Sequence, residues 1–158
     1  MQGLPGTDLD PDVADLEALT RLLVGLAWHS AHAAPAGVTF AQFRLLLVLG
    51  DLGRVPSSRL AAALGVNASS VTRMAGTLQA KGYLVRGAVE HNRSVVTVEV
   101  TDTGRRVVAQ VLERRHAALG AVLDRMPPAV RRAVADAARQ FTRTAATVPA
   151  MRAATGAL

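Results

Sequence analysis

The sequence predicts a mainly α fold with a small β-wing, and three observations carry that expectation. Half of the chain is apolar while aromatics make up only 3%. Leu, Val and Ala must therefore do most of the packing, and Ala, Leu and Arg are among the best helix formers. Apolar residues recur at helical spacing in long stretches near both ends. Only one stretch alternates cleanly: Val96, Val98 and Val100 against Thr97 and Glu99, the period of a half-buried strand.

The 158 residues fit one domain of ordinary size, or a small domain with helical extensions. The formal net charge is +6, and 18 residues are Lys or Arg. Lys81 is the one lysine; the rest are Arg, whose planar charge grips phosphates or guanine edges with two bonds. Coding bias toward Arg and Ala accounts for such a total equally well, but not for its distribution. From Leu9 to Thr20 every charge is acidic: Asp10, Asp12, Asp15 and Glu17. From Gly53 to Arg93 six Arg/Lys face one acid, Glu90. A concentrated basic stretch points to a polyanionic partner. The absence of cysteine excludes disulfides and thiolate metal sites. The N-terminus has no basic start followed by an apolar stretch, so no signal peptide is read there. The longest apolar run, Leu45–Leu49, is too short for a membrane span, and a cytoplasmic location is expected.

Residues 1–9 read as a flexible leader. Asp10-Pro11 starts a helix, with Asp as N-cap and Pro at the first helical position. Leu16, Leu19, Leu23 and Leu26 carry it to about Ala33, where Ala33–Gly37 breaks it. Thr39 caps a second helix, Phe40 to about Leu52, with Phe43, Leu46, Leu47 and Gly50 inward. Asp51–Pro56 reads as a turn. Ser57 is expected to cap a third helix, Ser58–Leu64, ended by Gly65 in the manner of a C-cap glycine. Asn67 caps a fourth, Ala68 to about Ala80. Tyr83–Arg86 and Val95–Val100 read as two strands joined by a polar tip, Gly87–Ser94. Thr101 opens a fifth helix to about Met126, striped by Val108, Val111, Leu112, Leu119, Val122 and Leu123. Met126-Pro127-Pro128 breaks it. A last helix keeps Val130, Val134, Ala137, Phe141, Thr144 and Val148 in a packing seam.

Two short helices joined by a tight Gly turn, the second rich in Ser, Thr and Arg, meet the needs of a helix-turn-helix. Its first helix braces and its second enters the major groove. Here the second begins Asn67-Ala-Ser69-Ser70-Val71-Thr72-Arg73. Small hydroxyls allow close approach, Arg73 is long enough to reach a guanine or a phosphate, and Val71, Met74 and Leu78 form the opposite face. Each residue alone has a plainer reading: Ser57 and Asn67 as caps, Ser69, Ser70 and Thr72 as solvated surface, Arg73 as an ordinary surface charge. Their combination with Leu78, Gly82 and a basic hairpin is what points to DNA.

From Ala61 to Gly104 the chain resembles a MarR-type regulator. Leu60, Ala61, Leu64, Gly65, Ser70, Val71, Thr72, Arg73, Leu78, Lys81, Gly82, Arg86, Thr101 and Gly104 hold the places of that family's pattern. The resemblance implies a winged helix-turn-helix in each subunit of a homodimer, with the winged domain at 37–104 and a helical dimerisation region at 10–36 and 105–158. Recognition helices would meet successive major grooves about 34 Å apart on a pseudo-palindromic site, with wing tips against flanking minor grooves. The DNA-binding set is then Ser57, Ser58, Asn67, Ser69, Ser70, Thr72, Arg73, Lys81, Arg86, His91, Asn92, Arg93 and Ser94. The chain departs from the pattern at the wing. The family's Asp-x-Arg falls on Asn92-Arg93-Ser94 when counted without a gap, so the steadying acid is missing and the Arg is displaced by one. An insertion would restore His91-Asn92-Arg93. Either way Arg93 is the minor-groove candidate.

Many relatives respond to small aromatic or lipophilic anions, bound between the dimer base and the DNA-binding lobe. That junction would draw on Trp28, His29, His32, Phe40, Phe43, Arg44, Leu47, Arg115 and His116, and an aromatic plus Arg/His mix suits an aromatic acid. The plainer reading makes Phe40 and Phe43 core and His29 and His32 surface. His29 and His32 lie three residues apart, but without a nearby acid or cysteine no metal and no cofactor is assigned. No catalytic arrangement is visible, neither a Gly-rich phosphate loop nor Gly-x-Ser-x-Gly nor His-Glu-x-x-His, so no enzyme is expected. The function expected is a sequence-specific repressor relieved by a ligand, the family's common mode. Its competitors are a ligand-independent or sequence-tolerant architectural DNA-binding protein, and a partner-binding protein whose winged helix has lost DNA contact.

Overall fold

A computed structural model describes residues 10–32, 37–89, 92–149 and 151, with residues 89 and 92–95 as backbone only. The elements run α1 (Pro11–His32), α2 (Phe40–Leu52), β1 (Val55–Pro56), α3 (Ser57–Leu64), α4 (Ala68–Ala80), β2 (Leu84–Val89), β3 (Asn92–Val100), α5 (Asp102–Leu123) and α6 (Pro128–Ala145). The expected mainly α fold with a small β-wing is what forms.

The core gathers around α2. Phe43, Leu45, Leu46, Val48 and Leu49 are all buried, so this helix is apolar on most sides, as a central helix must be. Gly50, expected inward, is exposed, and Leu47 is only partly buried. Leu45 and Val48, which lie on a different side of the helix, are buried instead, because helices and sheet pack around α2. Leu60, Leu64, Val71, Leu78, Leu84, Val98 and Val100 close the same cluster, together with Ala31 from α1 and Val107 and Val111 from α5. The head and the flanking helices thus share one core.

Local chemistry sets the helix ends. The Thr39 side chain accepts from Gln42 N–H while Gln42 bonds back to Thr39 N–H, a full capping box that satisfies two orphan donors. Gly65 ends α3 in the left-handed region at φ 64°, where a side chain is disfavoured. Thr101 caps α5 by accepting from Gly104 N–H at 3.1 Å and donates to Gly82 O at 2.7 Å. Gly104 is needed for space, since a Cβ there would overlap the Tyr83 carbonyl oxygen. Asp10 accepts from Asp12 N–H at 2.9 Å, starting α1 as expected.

Four sequence expectations are corrected. Asp51–Pro56 is not all turn: α2 continues to Leu52, and Val55–Pro56 form β1, which pairs antiparallel with β3 through Val55↔Val98 and Pro56↔Thr97. The sheet is therefore three-stranded, in the order β1-β3-β2. Ser57 does not cap α3. Pro56 is the N-cap residue and offers no side-chain bond; strand pairing instead brings the Ser57 hydroxyl to Val96 O, to which it donates at 3.2 Å. The polar tip is far shorter than Gly87–Ser94, because β2 and β3 extend into it and leave residues 90–91, which lie outside the described residues. The α6 seam stops at Ala145, so Val148 falls in a turn. The leader (1–9) and most of the Ala33–Gly37 break lie outside the described residues as well.

Candidate nucleic-acid interface

The two faces of α4 are cleanly divided. Val71, Ala75 and Leu78 are buried, spaced by four and three residues so that they share one face. Ser69, Thr72, Arg73, Gly76 and Thr77 are exposed on the other. Asn67 caps the helix by accepting from Ser70 N–H at 2.9 Å. The Ser69 hydroxyl donates to Asn67 Oδ1 at 2.9 Å, and that of Thr72 to Ala68 O at 3.0 Å. Both retain free lone pairs that can accept, and hydroxyls rotate readily to new partners. Arg73 forms no ion pair among the described residues. The N-terminal turns thus present small hydroxyls and one cation on an exposed face, which suits phosphate oxygens and base edges.

Two basic residues of the expected DNA-binding set are engaged inside the protein. Lys81 Nζ donates to Gly37 O at 2.7 Å, fastening the end of α4 to the segment before α2. Arg86 Nη2 donates to Thr72 O at 2.7 Å, fastening β2 to α4. Ser57 is turned to the sheet, Ser58 is exposed at the start of α3, and Ser70 is half-buried. His91 lies outside the described residues, as do the side chains of Asn92, Arg93 and Ser94, although the backbone of these three belongs to β3. Sequence reasoning missed Arg54, which it counted in the basic stretch but left in a turn. Its Nε donates to Thr97 Oγ1 at 3.3 Å and its Nη2 to Ala88 O at 3.2 Å.

The expected effector residues divide into four groups. Phe43 is core, and the Arg115 guanidinium lies over its ring at 5.2 Å. Arg115 Nε donates to Ser30 Oγ at 3.4 Å, while its Nη2 is buried with no hydrogen-bond partner. Burial pushes the Arg115 pKa below the usual arginine value. Ser30, a buried polar residue on α1, was not foreseen; a lone Ser in a helix carries no signal in sequence. Trp28 and His32 stack at 4.2 Å, and the His32 Nδ1–H donates to Trp28 O at 3.0 Å. Phe40 and Leu47 pack on the core edge. His29 and His116 are exposed and Arg44 is partly buried, apart from these contacts. Among the described residues no helix is long and apolar enough to cross a membrane.

A helix-turn-helix whose second helix shows hydroxyls and Arg to solvent, followed by a β-hairpin, defines a winged helix-turn-helix protein of the DNA-binding class. A model of the MarR family matches residues 36–93, and the chain belongs to the MarR family. It is a DNA-binding transcriptional regulator of that family. It is 32% identical over 137 residues to the Mycobacterium tuberculosis protein Rv2011c, covering 84% of this chain and 94% of that one. It is 25% identical over 97 residues to the HTH-type transcriptional regulator YfiV of Bacillus subtilis, of which the chain spans 61%. The crystal structure of Rv1404 from Mycobacterium tuberculosis superposes with a TM-score of 0.75 at 30% identity, covering 89% of this chain and 97% of that one. The fold is also that of Streptococcus pneumoniae FabT, solved in complex with DNA (TM-score 0.66, 18% identity, covering 83% and 92%).

Proposed function

We propose that this chain is a homodimeric repressor of a pseudo-palindromic operator, relieved by a small aromatic or lipophilic anion. The observation that carries the DNA reading is the exposed face of α4, with Ser69, Thr72 and Arg73 opposite the buried Val71, Ala75 and Leu78. In this reading each α4 enters a major groove, with Arg73 at a guanine or phosphate and the Asn67–Ser70 turn on the backbone. FabT, a chain of the same fold, is solved with DNA.

The dimer reading is supported by the apolar surface of the outer helices. Leu16, Leu19, Leu22 and Leu23 on α1, and Val130, Val134 and Phe141 on α6, are all more than two-fifths exposed, Leu22 to 63%. Clusters of this kind on a single chain mark an interface. The effector reading is supported by Arg115. A buried guanidinium nitrogen without a partner is costly, and an anion placed beside it and the Phe43 ring would satisfy it. Selection of bound sequences from random DNA, with and without aromatic acids, tests all three. A palindromic motif, bound at least about 10³-fold more tightly than random duplex and released by one of the acids, is the expected result. Near-equal affinities for all duplexes would reassign the chain to sequence-tolerant binding.

A further inference from the structure

The wing hairpin carries an arginine on each face. Arg86 lies on the side of Leu84, which faces the core, and reaches α4. Arg54 precedes Val55, whose side chain is buried, so by strand alternation it falls on the opposite face. There it meets Thr97 and Gly87, which stand directly across from each other in the β2–β3 ladder. Thr97 is only 6% exposed although it lies on the face away from the core; the Arg54 side chain is what lies against its hydroxyl, at 3.3 Å.

Gly87 is the seat of this arrangement. A Cβ there would stand 2.7 Å from Arg54 Nη2 and 3.2 Å from Thr97 Oγ1. Gly87 is not among the glycines at positive φ, so its backbone accepts any residue and what it provides is room. The Arg54 Nη2 bond to Ala88 O falls at the last regular pair of the ladder, immediately before the register shift between Ala88 and Val89. Strand β1 covers only Val98 and Thr97. Beyond that point the hairpin is tied to the body by Arg54 and by the Ser57–Val96 bond. Arg54 supplies that tether from the face away from the core.

We propose that Arg54 is a positioning residue for DNA binding. Seated over Gly87 and bonded to both wing strands, it holds the hairpin at a fixed angle to the helix-turn-helix without itself touching DNA. The proposal rests on the reading in which the wing tips lie beside the half-sites.

The test uses the full chain and a duplex selected from random DNA by the wild type. Arg54→Ala, Arg54→Lys and Gly87→Ala are compared for affinity at several salt concentrations, for hydroxyl-radical protection of the duplex and for thermal unfolding. Loss of one such hydrogen-bonded tether predicts roughly five- to tenfold weaker binding in all three. Protection of the flanking minor grooves should fade while that of the half-site centres persists. The salt dependence should keep its slope, because no phosphate contact is removed. Gly87→Ala leaves every charge in place, while a Cβ 2.7 Å from Nη2 forces the end of the Arg54 side chain to shift. If Arg54→Lys binds as tightly as wild type, or if the salt slope falls by about 0.9 in Arg54→Ala, Arg54 is a direct phosphate contact and the proposal is overturned. Unchanged binding by both Gly87→Ala and Thr97→Val overturns it equally. Should Gly87→Ala fail to fold, Thr97→Val removes the hydroxyl at near-constant shape, with the same expected loss and the same overturning result. Arg73→Ala serves as the control: wild-type affinity there would overturn the underlying DNA reading, a result distinguishable from failure of the Arg54 arm alone.

Discussion

Arg86 Nη2 donates a 2.7 Å hydrogen bond to the carbonyl oxygen of Thr72, tying β2, the first strand of the wing hairpin, to the middle of α4. The carbonyl of residue 72 already serves the helix ladder, whose N–H groups bond four residues back, and its second lone pair takes the guanidinium. The helix and the wing are thereby joined directly. Arg86→Ala should lower stability by about 1 kcal/mol, a modest value for a charge-assisted bond because the side chain is exposed, and should weaken binding to all sequences alike. Urea unfolding and affinities for matched and mismatched duplexes measure the two effects. A loss of discrimination at one base pair would instead make Arg86 a base-reading residue.

Arg73 should behave in the opposite way. It stands on the exposed face of α4 with no ion pair among the described residues, so Arg73→Ala should leave the thermal midpoint unchanged. Affinity for the selected duplex should fall by about 1–3 kcal/mol, with relaxed preference at one position of each half-site.

Asn67 is a cap before it is a contact. It accepts from Ser70 N–H and from the Ser69 hydroxyl. Asn67→Ala should cost about 1 kcal/mol of stability, lowering Tm by about 2–4 °C, whereas Asn67→Asp should retain the cap but repel phosphate. Calorimetry beside a binding titration separates these two roles.

Arg115 combines a buried, unpartnered Nη2 with a place over the Phe43 ring. Arg115→Met keeps the apolar volume against Phe43 and removes the uncompensated nitrogen, so Tm should hold or rise. The response of DNA binding to an aromatic acid should vanish. A variant that still released DNA with the acid would move the effector site elsewhere. By contrast Phe43→Ala, which empties a core position, should cost about 3–5 kcal/mol in a urea titration.

The exposed apolar rows of α1 and α6 predict the assembly. Leu22→Glu together with Phe141→Glu places charges where the surface is apolar, at residues 63% and 51% exposed. Sedimentation should show dimer for the wild type and monomer for the double variant, with DNA affinity falling steeply because two half-sites are no longer bound together.

Much of this architecture is legible along the chain because its causes are local. Thr39, Asn67 and Thr101 each bond an N–H three residues ahead, so a cap is readable from neighbouring letters. The helical spacing of Val71, Ala75 and Leu78 likewise fixes one face of α4 without reference to anything distant. The interactions that assemble the head are of another kind. Lys81 to Gly37, Arg54 to Thr97 and Arg86 to Thr72 join groups 44, 43 and 14 residues apart. The two-residue strand β1 exists only because β3 offers it a partner. Thr97 is buried and Val96 is 45% exposed, the reverse of what alternation suggests, because Val96 lies past the core and Arg54 covers Thr97. Periodicity and capping decided which segments are helices and which face of α4 is left to solvent. Register and side-chain reach, which depend on where distant strands meet, decided that Ser57, Lys81 and Arg86 are bonded within the protein and that Arg54 lies across the wing.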